Sequence, residues 1–424
     1  MVWTERLNAS TPDKMERALN WPRQLLDGIQ GVLVYEGGEV AEGLRTKLTR
    51  VRVAPHVTEI PDHTFSGCIN LVAVQLNEGL KTIGDEAFSV CTKLKRISIP
   101  STVTKLGYGV LCKCEKLAEV QLNEGLRVIR ERAFFSCTAL RSVTIPSTVM
   151  EIPTEAFRGC EKLAEVQFNA GLQIIGEYAF ALCRNLVRVQ FNDGLEIIGR
   201  YACLDCKALQ SVTIPSSVIK LGTGAFNRCH NLAEVQLNEG LEVVGDDSFS
   251  HCKALQSVAM PSTVTEIRHR AFGGCINLSE VQLNEGLQII GALAFQNCNT
   301  LRSVTTPSTV TQLGNSAFIG CGNLSELQLN EGLQFIGTGA FRYCSALQNA
   351  TIPSTVTKLN GRAFRGCSNL VEVVFLGERI FVQQFLDRRL SGEEGILNEG
   401  TLEEMFGRNT FKECRQLRTA KVSI

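Results

Sequence analysis

The sequence predicts an α/β solenoid, in which short coils stack on one another and share a parallel sheet. Two observations lead to this class. Fourteen cysteines recur at an unbroken interval of 23 residues, from Cys68 to Cys367. A phenylalanine stands three places before most of these cysteines and a leucine three places after, as in the run from Phe157 to Leu163. A fixed period of this length makes each repeat one structural unit stacked on the last. We therefore expect about fifteen coils.

The repeat that begins at Cys68 illustrates the elements of one coil. Val74-Gln75-Leu76 alternates apolar and polar residues, which is the period of a half-buried strand. Asn77-Glu78-Gly79 is a turn signal, and Leu80 to Gly84 is a second short extended stretch. The segment from Asp85 to Leu94 changes to apolar residues three and four apart, which favours one turn of helix. Each coil of the curved solenoid is thus predicted to contain a strand, a turn, a short strand and a single helical turn.

A second period lies over the first. The turn alternates between Asn-Glu-Gly-Leu, as at Asn77, and Pro-Ser-Thr-Val, as at Pro100, so the full unit is a pair of coils of 46 residues. The alternation slips once, because the turn at Asn169 is followed by another of the same kind at Asn192. Two coils also lack the phenylalanine and carry Leu111 and Cys203 instead. These departures leave the pattern of inward-facing positions unchanged.

The ends of the array differ from its middle. Residues 1–50 precede the regular repeats, and we expect an N-terminal cap there with a helix over Asp13–Leu26 and a strand over Val32–Tyr35. Residues 51–374 form the regular array. Residues 375–424 are interpreted as an insertion followed by a C-terminal capping repeat. Caps are expected because an open terminal coil would expose apolar groups and strand edges. The insertion is alternatively a docking element for a partner.

Composition limits the classes of function. Lysine plus arginine number 43, as do aspartate plus glutamate, so the formal net charge is zero and nothing draws the whole chain to nucleic acid or an anionic membrane. The first residues lack the apolar core of a secretory signal, and no stretch reaches the 18 or so apolar residues of a membrane span. We expect a cytoplasmic monomer without a membrane span. An extracellular location remains the alternative if the start codon is mis-called.

The 17 cysteines are interpreted as buried thiols that act as small apolar groups. Stacked coils lie about 5 Å apart, so disulfides are geometrically possible, but a cytoplasmic location disfavours them. The cysteines also offer two chemical alternatives. Cys203-Leu204-Asp205-Cys206 has redox spacing, although Cys203 occupies the phenylalanine position. Cys229-His230 and His251-Cys252 suggest a zinc site, although both cysteines belong to the inward ladder. We expect no catalytic residue, no cofactor and no metal, and Cys112 and Cys203, which depart from the ladder, are the thiols to test for reactivity.

The surface most suited to binding is the outward side of the strands. If Val120 and Leu122 point inward, their neighbours point out, and the equivalent positions form alternating Glu/Gln and Ser/Thr rows. This face is polar and mildly acidic, which argues against nucleic acid, and it has few of the aromatic residues that anchor tight interfaces. A merely solvated outer row is the alternative interpretation. The candidate protein-binding residues are Glu119, Gln121, Asn123, Ser142, Thr144, Glu165, Gln167, Ser211, Thr213, Glu234, Gln236, Glu280, Gln282, Glu326 and Gln328.

The repeat resembles a known family. The run from Leu140 through Ile145-Pro146-Ser147-Thr148-Val149 to Cys160 is similar to the BspA-type leucine-rich repeat of 23 residues. The resemblance covers residues 50–374 closely. The Asn-Glu-Gly-Leu coils and the tail Phe375-Leu376-Gly377 are similar to the diatom branch of the algal members. The resemblance implies a leucine-rich-repeat solenoid and a protein-binding role, and some bacterial members are adhesins.

These observations predict a non-enzymatic scaffold that binds an unknown protein partner through its strand face. The alternative is a secreted or cell-surface protein that serves in adhesion or recognition. An enzyme is the least favoured class, because no catalytic motif stands out from the repeat.

Overall fold

The structure is a computed structural model, and it describes residues 32–376 and 409–423. The chain divides into two compact units, Met1–Leu209 and Gln210–Ile424. The expected fold class, a parallel-sheet solenoid of repeated coils, is confirmed, and the number of coils is close to that expected. The predicted helix over Asp13–Leu26 and most of the predicted insertion lie outside the described residues. Among the described residues, no helix has the length and apolar character needed to cross a membrane.

Each coil contributes a first strand to a parallel ladder. In the N-terminal unit, a residue of one regular first strand pairs with the residue 23 positions further along the chain in the next, as Ser142 does with Glu165 and Thr144 with Gln167. A half-buried or buried residue stands between two outward ones, which is the alternation seen in the sequence. The first strands of this unit are Val32–Tyr35, Arg50–Val53, Ala73–Gln75, Arg96–Ser98, Glu119–Gln121, Ser142–Thr144, Glu165–Gln167 and Arg188–Val189.

The C-terminal unit repeats this arrangement. Its final coil is set apart in the sequence but not in space, because Glu372 pairs in register with Thr419. Phe411 likewise stacks on Phe364 at 5.6 Å between ring centroids. The first strands of this unit are Ser211–Ile214, Glu234–Leu237, Ser257–Ala259, Glu280–Gln282, Ser303–Thr305, Glu326–Gln328, Asn349–Ile352, Glu372–Leu376 and Thr419–Ser423.

A second strand of two residues follows the turn of most coils and forms its own parallel ladder. One residue of each pair is buried, as Ile60 and Ile83 are. The glycine that follows is required by close packing between coils, since a Cβ on Gly107 would lie 2.3 Å from the carbonyl carbon of Gly84. The second strands are Glu59–Ile60, Thr82–Ile83, Lys105–Leu106, Val128–Ile129, Glu151–Ile152, Ile174–Ile175, Ile197–Ile198, Val243–Val244, Glu266–Ile267, Ile289–Ile290, Gln312–Leu313, Phe335–Ile336 and Lys358–Leu359.

The predicted single helical turns are wrong. The described residues contain one α-helix, Glu42–Arg45, which precedes the regular coils. Before each ladder cysteine, the residues one and five places upstream have left-handed φ, as Glu86 at 52° and Val90 at 59° do before Cys91. A helix needs consecutive right-handed residues whose N–H groups bond within the segment. Here alternate N–H groups point along the stack instead.

The residues from five places before each ladder cysteine up to that cysteine, here called the left-handed segment after its two residues with left-handed φ, bond each coil to the next. The amide of Phe65 donates to the carbonyl oxygen of Ala87 at 2.8 Å, and that of Gly67 donates to Ser89 at 2.8 Å. The amide between them, that of Ser66, donates locally to the carbonyl oxygen of His63 at 3.0 Å. A left-handed non-glycine residue costs roughly 1–2 kcal/mol, and the bonds between coils offset that cost. The sequence shows the apolar spacing of this segment but not its backbone, because both conformations place those side chains inward.

The ladder cysteines have a specific role in the core. The thiol of Cys91 donates to the carbonyl oxygen of Phe65 in the preceding coil at 3.2 Å, and the thiol of Cys160 does the same to Phe134. This bond recurs along both units, which explains why a thiol rather than a methyl group recurs at this position. No cysteine of the described residues forms a disulfide. The interpretation of the ladder as buried thiols holds, with a hydrogen-bonding function added.

The alternating turns interlock. Glu239, in an Asn-Glu-Gly-Leu turn, accepts hydrogen bonds from the amide and hydroxyl of Ser262 in the next coil, at 3.1 and 2.8 Å. Thr263 donates back to the carbonyl oxygen of Leu241 at 2.7 Å. Glu124 and Ser147 repeat the arrangement in the N-terminal unit. The period of 46 residues therefore reflects complementary hydrogen bonding between the two kinds of turn.

Candidate interaction surfaces

The outward side chains of the first strands, here called the first-strand face, include the predicted binding residues. Strand pairing brings several of them side by side, since Ser142 lies in register with both Glu119 and Glu165. Asn123 and Ser211 are half-buried, whereas the other predicted residues are exposed. The exposed ones are Glu119, Gln121, Ser142, Thr144, Glu165, Gln167, Thr213, Glu234, Gln236, Glu280, Gln282, Glu326 and Gln328.

Hydrogen bonds between coils hold these side chains in place. The hydroxyl of Thr144 donates to Gln167 Oε1 at 3.1 Å, and that of Ser98 donates to Gln121 Oε1 at 3.1 Å. The amide of Gln282 donates to Glu280 Oε1 at 2.7 Å within its own strand. The Glu/Gln and Ser/Thr rows are therefore ordered before any partner binds.

Asn123 does not point outward as predicted, because its side chain is half-buried against the preceding coil. Its Nδ2 donates to the carbonyl oxygen of Ile99 in the preceding coil at 2.7 Å, and its Oδ1 accepts from Gln121 at 3.2 Å. Asn169 makes the same kind of bond to Pro146 and Val149. An asparagine at this position satisfies turn carbonyls that would otherwise lack a partner, so its role is structural.

The sequence had suggested that the first-strand face is mildly acidic, but this is not true along its whole length. Its first coils carry Arg50, Arg52 and Arg96, all exposed and outward. Glutamate first appears on this face at Glu119, which lies in register with Arg96. The acidic character holds at Glu119 and Glu165 and at the glutamates of the C-terminal unit, and the prediction failed in the first coils because it was generalised from coils further along the chain.

A second surface was missed by the sequence analysis. On the left-handed segments of the N-terminal unit, arginines and aromatic rings alternate in a series here called the arginine–aromatic row: Tyr108, Arg132, Phe135, Arg158 and Tyr178, followed by Tyr201. The Arg158 guanidinium lies 5.9 Å from the Phe135 ring centroid and 5.0 Å from that of Tyr178. Tyr178 stacks on Tyr201 at 5.1 Å. Three of the five tyrosines lie in this row, and their departure from the repeat consensus is the signal that could have revealed it.

Glu155 anchors this row. It is buried and forms ion pairs with Arg132 and Arg158. Burial raises the pKa of this carboxyl, but the hydrogen bonds from Arg132 and Arg158 outweigh burial and leave the pKa below its usual value. The negative charge of Glu155 is therefore compensated by the two arginines, while the aromatic rings of the row remain partly exposed. Tyrosine and arginine are enriched among residues that dominate binding energies.

Most of the thiols singled out in the sequence lie in the core. Burial raises the pKa of the Cys160 and Cys275 thiols to about 12. Cys203, one of the two thiols that depart from the ladder, is fully buried in the core position of the missing phenylalanine, whereas Cys112 and Cys414 are half-buried. Within the described ranges, no cluster of three or more histidine, cysteine, aspartate or glutamate side chains could hold a metal ion.

His251 and Cys252 do not form the imagined zinc site with the preceding coil. The thiol of Cys252 donates to the carbonyl oxygen of Phe226 at 3.3 Å in the core. The pKa of His251 is lowered, first by burial and then by Arg270 and Arg228 nearby. A ligand pair would require Cys252 to leave its core hydrogen bond.

Comparison with known proteins identifies the repeat. A model of the BspA type leucine rich repeat region matches residues 44–164, 151–279 and 265–384. A leucine-rich repeat protein from Bacteroides ovatus has a similar solved structure, with 22% identity over 92% of this chain and 87% of the other, at a TM-score of 0.56. A leucine rich cell surface protein from Faecalibacterium prausnitzii is 23% identical over 83% and 92% of the two chains, at a TM-score of 0.46.

A search of curated proteins finds no match. The likeness to the Bacteroides structure concerns the fold alone, because the identity is low. The matched family model, in contrast, spans well over half of the chain and coincides with the 23-residue coils described above. The chain therefore belongs to the BspA-type leucine-rich repeat family.

Proposed function

We propose that the protein is a non-enzymatic scaffold that binds other proteins through the first-strand face. The observation that carries this proposal is the ordered row of outward side chains, in which Thr144 bonds Gln167 and Gln282 bonds Glu280. Binding is weakened when mobile side chains must be ordered, so a surface that is already ordered favours recognition. The glutamates at Glu234, Glu280 and Glu326 recur every 46 residues and present carboxylates at a regular interval.

The experiment compares partner capture by full-length protein and two variants. E280K/E326K reverses two charges on the first-strand face, and E196K/E242K reverses two exposed charges elsewhere on the coils. Proteins captured by the wild type and by the control, but reduced at least about tenfold by E280K/E326K, support the proposal. Equal capture by all three proteins contradicts it. Thermal unfolding confirms that each variant is folded.

We further propose that the protein works in a reducing compartment such as the cytoplasm, the alternative being a secreted or cell-surface protein for adhesion or recognition. The ladder thiols support this proposal, because Cys91 and Cys160 act as hydrogen-bond donors only when reduced. Fractionation of cells that express the tagged protein tests the location directly. Recovery of the full-length protein from the cell surface or the medium would favour the alternative.

Thiol labelling tests the ladder on which that argument depends. In native protein at neutral pH, Cys112 and Cys414 should react first with an alkylating reagent, because only these two are half-buried. The remaining cysteines, Cys203 included, should react only on unfolding, since burial disfavours the thiolate. Mass spectrometry of the labelled peptides reports each site. Rapid native labelling of ten or more thiols would contradict the buried ladder.

Two smaller proposals concern relationship and assembly. We infer that the chain is related to the algal branch, and to diatoms in particular, from its Asn-Glu-Gly-Leu coils and the tail Phe375-Leu376-Gly377. A sequence tree that groups it with bacterial members would contradict this. We also propose a monomer, and light scattering that gives a mass near 46.5 kDa would support it. A concentration-dependent mass would contradict it.

A further inference from the structure

The arginine–aromatic row is a second surface, separate from the first-strand face. Its residues come from five successive coils of the N-terminal unit, those of Cys114, Cys137, Cys160, Cys183 and Cys206. At about 4.8 Å between neighbouring coils, the row is roughly 20 Å long. Arg132 is exposed, whereas Phe135, Arg158 and the tyrosines of the row are half-buried. Each ring is therefore packed against the solenoid on one side and open to solvent in part.

The row offers many hydrogen-bond donors and few acceptors. A guanidinium has several N–H donors and no acceptor. Within the described residues, Arg158 donates to Glu155, and Arg132 donates to Glu155 and to the hydroxyl of Tyr108. The other N–H groups of both guanidinium groups remain for a partner, beside the rings on which these groups lie. The tyrosine hydroxyls of the row also donate.

Little net charge remains on the row. Glu155 compensates one of the two positive charges of Arg132 and Arg158. A polyanion binds more tightly the more cations it meets, so one uncompensated charge gives it little affinity. The row therefore suits an uncharged partner that carries hydrogen-bond acceptors and has apolar groups to pack on aromatic rings.

A proline-rich segment has this chemistry. Proline lacks a backbone N–H, so such a segment presents carbonyl acceptors in excess over donors, and its polyproline II conformation leaves these carbonyls open to solvent. Proline-rich segments dock on aromatic-lined sites in several kinds of protein domain. Because the polyproline II conformation is largely preformed, little ordering is required on binding.

The spacing of the rings fits this conformation. Phe135 and Tyr178 belong to coils two steps apart in the stack, which is about 10 Å. A polyproline II helix repeats every three residues, over about 9 Å. The Arg158 guanidinium belongs to the coil between them and lies 5.9 Å from the ring centroid of Phe135 and 5.0 Å from that of Tyr178. Two prolines three residues apart thus match the two rings, with the guanidinium beside the carbonyl groups between them.

We propose that the arginine–aromatic row binds a proline-rich segment of a partner protein in the polyproline II conformation. Phe135 and Tyr178 receive prolines three residues apart, and Arg158 donates to a carbonyl oxygen between them. The proposal goes beyond the scaffold function described above, because it concerns another surface of the coils and does not depend on the first-strand face.

The test uses full-length protein and four fluorescent probes of equal length. The first is a capped peptide with four repeats of Pro-Pro-Ala. The second has four repeats of Gly-Ser-Ala, which does not favour polyproline II. The third has four repeats of Gly-Ser-Glu and tests attraction of carboxylates by the arginines. The fourth is a single-stranded DNA of twelve nucleotides, and fluorescence anisotropy at low and at moderate salt measures the Kd of each probe.

A double variant locates the site while keeping the fold. F135L/Y178L removes both rings but retains apolar side chains. Leucine fits these positions, because Leu204 and Leu293 occupy the equivalent positions of other coils. The matched control is F335L/Y343L, which removes one phenylalanine and one tyrosine that solvent reaches in the C-terminal unit. Thermal unfolding confirms that both variants are folded.

The expected result is binding of the Pro-Pro-Ala peptide alone, with a Kd that changes less than about twofold with salt, because the peptide is uncharged. F135L/Y178L should raise that Kd about tenfold, and F335L/Y343L should leave it unchanged. If F135L/Y178L does not fold, Y178L alone replaces it, and a rise of about threefold is then expected.

Four results would overturn the inference. An equal Kd for F135L/Y178L and F335L/Y343L would mean that the peptide does not bind at the row. Equal binding of the Gly-Ser-Ala peptide would show that polyproline II is not recognised. Tighter binding of the Gly-Ser-Glu peptide or of the DNA would assign the row to acidic segments or to nucleic acid. No binding of the Pro-Pro-Ala peptide would also refute the inference, while leaving intact the scaffold proposal, which E280K/E326K tests separately.

Discussion

The two units are built from the same coil, yet they differ in regularity. In the C-terminal unit an unbroken stack of phenylalanine rings runs from Phe226 to Phe411, with centroids of neighbouring rings 5.2–5.6 Å apart. In the N-terminal unit the stack is interrupted at Leu111 and ends before Cys203, and the turn alternation slips at Asn192. The Oδ1 of Asn192 is buried without a hydrogen-bond partner. The interruptions of the ring stack and the slip of the turn alternation thus both lie in the N-terminal unit.

The same unit carries the unusual surface chemistry. The exposed arginines Arg52 and Arg96 of the first-strand face and the arginine–aromatic row around Arg158 all lie before Leu209. The C-terminal unit presents glutamates at a strict two-coil interval on its first-strand face. In a repeat protein, the outward positions are under no packing constraint, so a deviation there costs little in stability. The comparison teaches that surface deviations, rather than the consensus, indicate where this chain is specialised.

The largest expected effect concerns the ring stack. Phe295 is fully buried between Phe272 and Phe318, at 5.4 and 5.2 Å between ring centroids. We expect F295A to lower the free energy of unfolding of the C-terminal unit by about 3–5 kcal/mol, because the change leaves a cavity in a continuous stack. Hydrogen exchange resolved by peptide measures protection in each unit.

The matched control is F335A, which removes an outward, half-buried ring from the same unit and should cost about 1 kcal/mol or less. F295A should leave the protection of the coils around Phe65 unchanged, since each coil contacts only its neighbours. An equal loss of protection in both units would show that the chain unfolds as one cooperative block, and the contrast between the units would then have no energetic meaning.

An intermediate effect is expected in the arginine–aromatic row. R158A removes a side chain that packs between Phe135 and Tyr178 and leaves Glu155 with Arg132 alone. We expect a loss of about 1–2 kcal/mol in the N-terminal unit, from two cation–π contacts and a partly buried ion pair. Chemical denaturation of the purified variant measures the loss.

Gln296 provides the control, since it lies at the same coil position in the C-terminal unit and has no row around it. Q296A should change stability by less than about 0.5 kcal/mol. If R158A and Q296A have the same effect, the row contributes nothing to stability and only its exposed faces remain of interest.

The smallest effect should be common to both units. The hydroxyl and the amide of Ser262 lower the pKa of Glu239, and Ser147 does the same for Glu124. A carboxyl whose pKa is lower in the folded than in the unfolded state stabilises the fold at pH values above its unfolded pKa, which is near 4.5. This stabilisation is lost as the pH falls from that value through the lowered pKa of the folded state. E124Q and E239Q should each reduce the loss of thermal stability between pH 5 and roughly 3. A variant that follows the wild-type pH profile would show that the turns do not interlock through charge.

Much of the fold was readable from the sequence. The 23-residue period predicted the solenoid, and the alternation of Val74-Gln75-Leu76 predicted the first strands. The stacking of Phe411 on Phe364 across 47 residues of chain is seen only in the structure. The left-handed segment was not readable, because Ala87, Phe88 and Cys91 point inward in either a helical or a left-handed backbone. Spacing reports which side chains are buried, and it does not report where the amides point.

The candidate surfaces were predicted only in part. The outward residues of the first strands were correctly placed because strand alternation is a local property, but Asn123 was misplaced because its hydrogen-bond partner lies in another coil. The arginine–aromatic row was missed for the same reason, since Arg132, Glu155 and Arg158 meet only when coils stack.

The sequence alone therefore determined the approximate number of coils, their inward residues and the parallel pairing at an offset of 23. The tertiary structure decided the direction of the backbone amides in the left-handed segments, the hydrogen bond from each ladder thiol to the coil before it, and the neighbours of each outward charge. The physical reason is that a repeat period fixes which residues are equivalent, whereas hydrogen bonds and ion pairs between coils depend on distances that exist only after stacking.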